Sequence, residues 1–235
     1  MSLFFRRLRF LLALILVCLV TAYGLSRLGY FEWPRPYDPL VLPDLDAASN
    51  VLTPFKMKRI DSSAENCRAA FARAGKALAI EPARIETAQC TKEDTVKLSS
   101  LSTAKLLMEE TRCAIAARLF MWEHNVVQPA ARKYFNEQVT EIIHFGSYSC
   151  RNIRGSSATS EHATANAFDI AGFRFASGKL ITLKQDWQGG QPPAEFLREI
   201  RDGACDYFNL VLSPDYNADH HDHLHVDMGW YRTCR

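Results

Sequence analysis

The chain has 235 residues, 48% of them hydrophobic and 23% charged, with a formal net charge of +2. That is ordinary globular composition with length enough for one sizeable core, which excludes a disordered or repetitive chain. Setting aside Arg6, Arg7, Arg9 and Arg27, which flank the first apolar run, leaves 24 basic against 26 acidic residues; the body is near neutral and offers no basic patch for nucleic acid. Residues 10–25 carry no charge and follow three arginines, as in a secretory signal or a slightly short membrane anchor. Thr21-Ala22-Tyr23 is a poor cleavage signal, and Tyr30, Phe31 and Trp33 can sit at the membrane interface. Both points favour an uncleaved inner-membrane anchor with its arginines cytoplasmic and the body in the periplasm. Cys18 follows Leu16-Val17 rather than small residues, which argues against a lipoprotein site.

The expected organisation is an anchor over 1–25, a linker over 26–59 spaced by Pro34, Pro36, Pro39 and Pro43, and a folded domain over 60–235. Ser62-Ser63-Ala64-Glu65 reads as a capping box opening a helix over 61–79, followed by strand and loop pieces over 80–101. Helices are expected over 111–123 and, opened by Pro129, as far as 134; a buried strand over 138–148 follows. After a Ser/Gly loop come a strand over 167–175, a turn, and a partner strand over 180–183. Pro192-Pro193 starts a helix closing near 208, and short strands are expected over 209–212 and 223–230. Helices first and an antiparallel sheet after them make an α+β fold.

Six cysteines lie beyond the apolar run: Cys67, Cys90, Cys113, Cys150, Cys205 and Cys234. An even number in an exported domain points to three disulfides, with fifteen possible pairings; Cys205 with Cys234 is the first expectation, because it ties the tail to the preceding helix.

The chemistry concentrates in His220-His221-Asp222-His223-Leu224-His225-Val226-Asp227, which holds four of the seven histidines. Imidazole and carboxylate are ligands that zinc accepts, and a solvated loop has no reason to gather them so densely. On a strand His223, His225 and Asp227 share one face, and Asp169 with His162 from an earlier segment could meet them. Two histidines and one aspartate leave a fourth zinc position open, as catalytic sites do. A facial-triad iron site is disfavoured, since no histidine follows His225 and an exported disulfide-bonded domain suits reduced iron poorly. His144, on an apolar strand, reads as a hydrogen-bonded core residue.

Ser160-x-His162, Ala167-x-Asp169 and His220-x-Asp222-His223-x-His225 together resemble the zinc peptidases that cleave D-alanyl bonds in peptidoglycan, a superfamily shared with lysostaphin-like enzymes and the hedgehog signalling domain. The closer resemblance is to the bacterial extensin-like C-terminal domain family over 60–235, including Ser147-Tyr148-Ser149-Cys150-Arg151, Gly203-Ala204-Cys205 and Cys234. The resemblance implies zinc on His162, Asp169 and His225. It further implies Asp222 as general base, His223 as oxyanion helper, His220 supporting Asp222, Arg151 meeting substrate, and Ser160 and Asp227 orienting ligands. One departure is Ala165-Asn166-Ala167, where a glycine usually precedes the alanine. The expected activity is hydrolysis of peptidoglycan peptides; the alternative is a zinc-containing binding module for cell wall or protein on the same scaffold.

Overall fold

The computed structural model describes residues 3–235, which fall into two compact units that divide between Val41 and Leu42. The first is dominated by α1 (Leu3–Arg27), a helix whose most apolar 18-residue stretch has a mean hydropathy of 2.3 and which leaves its apolar side chains exposed. Twenty-five residues rise about 37 Å, more than a hydrocarbon core requires, so α1 is long and apolar enough to cross a membrane or serve as a signal segment. Within the same unit Tyr23 donates its hydroxyl to Asp38 Oδ1 (3.1 Å) and packs edge-on against Trp33.

The second unit begins before the expected boundary at 60. α2 (Thr53–Asp61), opened by Pro54, was expected to be linker, yet Leu45, Met57 and Ile60 are buried. The linker reading is corrected there: these apolar side chains have a core to join, and proline in the first helical turn starts a helix rather than preventing one. α3 (Ala64–Arg73) is shorter than expected; Ser63 caps it by accepting from Asn66 N, and Gly75 follows in the left-handed region. Glu65 pairs with Arg68 instead of closing a capping box.

A small hairpin of β1 (Arg84–Ile85) and β2 (Thr91–Lys92) precedes β3 (Thr95–Ser100) and β4 (Lys105–Arg112). α4 (Cys113–Trp122) runs through a π-helical turn, Glu123–Val127, into α5 (Gln128–Phe135). Glu123 is fully buried there and accepts from the backbone N–H groups of Ser102 and Ala104 (both 3.1 Å) and from Gln128 Nε2 (2.6 Å), fixing the β3–β4 turn to the helix. β5 (Val139–Gly146), β6 (Ala167–Phe175) and β7 (Leu180–Thr182) follow, then α6 (Leu183–Asp186), α7 (Pro193–Ala204), β8 (Leu210–Leu212), β9 (Leu224–Asp227) and β10 (Thr233–Cys234).

The main sheet has the order β10-β8-β9-β6-β5-β4-β3, with β7 also paired to β6. The fold is mixed α+β, but the sheet is not wholly antiparallel: β4 pairs with β5, and β8 with β10, in parallel. The first exception follows from connectivity, since α4 and α5 form the helical crossover that a parallel pair requires.

β6 is buried on both faces. Its pairing with β5 skips Ala171, so the alternation that sends Phe168 and Ile170 into the core resumes with Phe173 and Phe175 while Asp169 points the other way. Phe173 and Phe175 both pack against Phe196 of α7, and Phe173 also meets Trp122, whose indole donates to Ile200 O (2.9 Å). Gly172 lets β7 lie close: a Cβ there would stand 2.7 Å from the Ile181 carbonyl oxygen, a backbone atom. Gly172→Ala should therefore destabilise the domain by about 1–3 kcal/mol, read by thermal or urea unfolding. An unchanged midpoint would show that β7 moves freely.

Three disulfides, Cys67–Cys113, Cys90–Cys150 and Cys205–Cys234, staple α3 to α4, the β1–β2 hairpin to the loop after β5, and α7 to β10. The last is the expected pair. Such bonds accord with an extracytoplasmic domain.

Candidate metal centre

The two sequence segments meet. β6 pairs with β9 so that Asp169 lies opposite His225, and Leu224 and Val226 fill the core while His225 faces outward with Asp169. His162 enters from the one-turn 3-10 helix Glu161–Thr164, capped by Ser160, whose hydroxyl accepts from His162 N (3.3 Å). His162 Nε2 is 3.1 Å from His225 Nδ1 and 3.2 Å from Asp169 Oδ2, and His225 Nδ1 is 2.9 Å from Asp169 Oδ1. Taking one donor atom from each residue, the three lie within 4.8 Å of one another, whereas tetrahedral zinc with bonds of about 2.0–2.1 Å needs donors about 3.3 Å apart, so the trio could hold such an ion after contracting onto it.

The remaining nitrogens of both imidazoles are tied down. His162 Nδ1 lies 2.7 Å from the Ser147 carbonyl oxygen, and His225 Nε2 lies 3.0 Å from Asp227 Oδ2. An acceptor behind each ring fixes its tautomer and turns the other nitrogen toward the centre, the usual support of metal-binding histidines. Asp227 is itself held by Gly229 N (2.8 Å). If the trio holds zinc, Asp227→Asn should lower its affinity about 10–100-fold while leaving the fold intact, measured by chelator competition; an unchanged affinity would remove Asp227 from the site.

Ser147 belongs to the motif Ser147-Tyr148-Ser149-Cys150-Arg151. It is buried, and its hydroxyl reaches Thr111 Oγ1 (2.8 Å) and the carbonyls of Ala167 (2.7 Å) and Ala165 (3.2 Å). It thus ties the end of β5 to the start of β6. Ala165 occupies the left-handed region (φ 53°), which glycine adopts without the steric cost that a Cβ brings. The αL turn is retained because its carbonyl also accepts from Arg112 N (3.0 Å).

Charge is concentrated at the trio. Burial disfavours ionised Asp169, yet hydrogen bonds from His162 and His225 hold its carboxyl far below the usual range. For His225, burial disfavours the charged ring, but the flanking Asp169 and Asp227 carboxylates outweigh it and raise the imidazole to about 9. His225 then contributes stability to the metal-free protein that is complete below about pH 6.5 and lost as pH rises through about 9. Metal-free protein should accordingly melt at lower temperature at pH 9.5 than at pH 6.5, and a flat profile would contradict this charge pattern.

The other expected residues are placed as follows. His223 Nδ1 is 2.9 Å from Asp222 Oδ1, and its Nε2 is 3.7 Å from Asp169 Oδ1. Asp222 therefore reaches the trio through the His223 ring. His220 does not support Asp222: its Nδ1 meets Asn217 Oδ1 (2.7 Å), and its ring lies beside those of His223 and His225. Burial first, then the neighbouring His223 and His225, lower His220 to about 4. Arg151 is exposed, and among the described residues its guanidinium makes no hydrogen bond or ion pair with the cluster. His221 is exposed and bonds through Nδ1 to Ala218 O (2.9 Å). His144 Nε2 bonds Leu107 O (2.9 Å) behind the site. Phe145 departs from the expected burial of the strand over 138–148: a bulge in the β5–β6 register turns it outward, and, largely exposed, it packs edge-on against His223.

A mixed α+β domain with two imidazoles and a carboxylate converging where β6 and β9 pair is the class of protein these features define. Residues 65–235 match the family described as "Extensin-like protein C-terminus", and the chain belongs to it. No curated protein and no solved structure matches the chain.

Proposed function

We propose that the domain is a zinc-dependent peptidase that hydrolyses peptide bonds in peptidoglycan stems or cross-links, held at the periplasmic face of the inner membrane by α1. The observation that carries this reading is the convergence of His162 Nε2, His225 Nδ1 and Asp169 with an acceptor behind each imidazole. These three residues would hold the metal. Zinc supplies Lewis acidity toward a peptide carbonyl and toward water.

The chain's own groups supply the rest. Ser147 O and Asp227 keep both rings in the binding tautomer. Asp222 and His223 form a carboxylate–imidazole pair beside Asp169, placed to accept a proton from attacking water and return it to the leaving amine. In the charged state His223 would also favour the oxyanion. Peptidoglycan as substrate comes from the resemblance to D-alanyl peptidases. The position of Asp222, against His223 rather than among the three donors, is the observation that favours the second reading, a zinc-containing module that binds cell wall without cutting it.

Incubating the exported domain with muropeptides, with zinc and with chelator, distinguishes the two. Zinc-dependent cleavage products by mass spectrometry support the peptidase; unchanged muropeptides across a range of zinc concentrations reject it.

A further inference from the structure

A second concave feature lies away from the histidine cluster. A cleft of ≈ 820 Å³ runs between the 49–61 segment and the C-terminal tail, and no histidine lines it. That volume is in the range of small-molecule and cofactor sites. Its lining mixes hydroxyl, amide and carboxylate groups: Thr53, Asp206 and Asn209 face it, and Tyr207, hydrogen-bonded to Ser49 (2.7 Å), forms part of its wall. Arg118, buried and paired with both oxygens of Asp61 (2.5 and 2.8 Å), also lines it.

Beside this cleft stands an exposed aromatic pair. Trp230 and Tyr231 are 81% and 62% exposed with ring centroids 3.9 Å apart, at the crest of a bend whose two arms, Met228 and Arg232, line the cleft. The body's other tryptophans, Trp122 and Trp187, are buried. The crest is anchored at both arms. Asn209 Nδ2 donates to Gly229 O (2.7 Å), Thr233 N donates to Asn209 O (3.1 Å), β10 pairs with β8, and the Cys205–Cys234 disulfide closes the tail. A solvent-facing pair of rings on a bend whose backbone is held at both ends, next to a polar cleft, makes a platform for a ligand.

The chemistry selects the ligand. Flat π faces suit a molecule with an apolar C–H face, and the hydroxyl, amide and carboxylate groups suit one carrying many hydroxyls. With Arg118 tied to Asp61, Lys58 and Arg232 stand against Asp206 alone, a net charge of +1 that is too small to select a polyanion. A lipid surface would match the rings but not the polar cleft beside them. We propose that this cleft and its Trp230–Tyr231 rim bind a neutral pyranose oligosaccharide. The inference shares the cell-wall setting of the proposed function but uses none of the residues of the histidine cluster.

The test uses the full chain in lipid nanodiscs with chelator present, so that hydrolysis plays no part. Titration with the β-1,4-linked N-acetylglucosamine tetramer should shift tryptophan fluorescence and give a saturating calorimetric signal. Trp230→Ala should weaken binding at least about tenfold, Trp230→Phe by only a few fold, and Tyr231→Ala by an intermediate amount. Unchanged melting temperatures would show that the variants fold, as the exposure of both rings leads one to expect. No saturable signal with the tetramer, or equal affinity in Trp230→Ala, overturns the proposal. So does loss, in Trp230→Phe, of fluorescence quenching by brominated lipid without any sugar response, which would assign the rim to the membrane. Sugar binding by a chain that leaves muropeptides intact would retain this proposal and reject the peptidase.

Discussion

On the proposed zinc assignment, Asp169→Asn is expected to abolish tight zinc binding. Three imidazoles surround this carboxylate, at 2.9 Å (His225), 3.2 Å (His162) and 3.7 Å (His223). Zinc binding by protein sites is worth roughly 10 kcal/mol or more; shared over three donors, one donor represents about 3 kcal/mol, or more than a hundredfold in affinity. An amide also leaves the imidazoles without their counter-ion, so protons compete less for His225 even as metal binding weakens. The variant should lose zinc on dialysis against a competing chelator, lose hydrolysis with it, and show a flatter loss of stability between pH 6.5 and 9.5 than metal-free wild type. Retention of one zinc per chain in Asp169→Asn would end the assignment of this trio.

Asp222→Asn should separate binding from turnover. Its carboxylate touches His223 rather than the three donors, so zinc affinity should stay within a few fold and the melting temperature near wild type. Under the proposed peptidase reading, turnover should fall about a hundred- to ten-thousand-fold, the usual contribution of a positioned acid–base group. Because Asp222 and His223 are in contact, the double variant Asp222→Asn/His223→Ala should be little worse than the poorer single variant. Additive losses would mean that the two side chains act separately, and full activity in Asp222→Asn would remove it from the reaction.

Much of this was legible in the sequence, for identifiable reasons. The strand 167–175 was read to the residue, since apolar side chains run through it and a Gly-containing turn ends it. α7 was visible from Phe196, Leu197, Ile200 and Ala204 at helical spacing. β4 was missed because Lys105-Leu-Leu-Met-Glu-Glu favours helix locally; pairing with β3 along its length overrides that preference. α2 was hidden by the prolines around it, although Pro54 sits where a helix tolerates proline. At the site, residue types and spacing gather His162, Asp169, His223, His225 and Asp227, and the resemblance singles out the trio among them; they lie on one 3-10 turn and two strands, β6 and β9, each carried by a short motif. The partner of Asp222 was not legible: a one-residue offset to His223 decides it, and that depends on how the 3-10 turn Ala218–His220 delivers the chain to β9. Ser147 acts through its main-chain carbonyl as well as its hydroxyl, and a carbonyl leaves no mark in a sequence.

The disulfide connectivity bears on how the chain matures. Cys67–Cys113 and Cys90–Cys150 interleave, so neither loop is closed inside the other. A chain oxidised in order of emergence brings Cys67 together with Cys90 first, a pair absent from the folded domain. Correct cross-linking has to wait until α4 delivers Cys113 to α3, or proceed by thiol–disulfide exchange out of that first bond. Order of synthesis and order of cross-linking are thus decoupled in the half of the domain that presents His162, whereas Cys205–Cys234, drawn entirely from the last stretch of chain, can form independently of both.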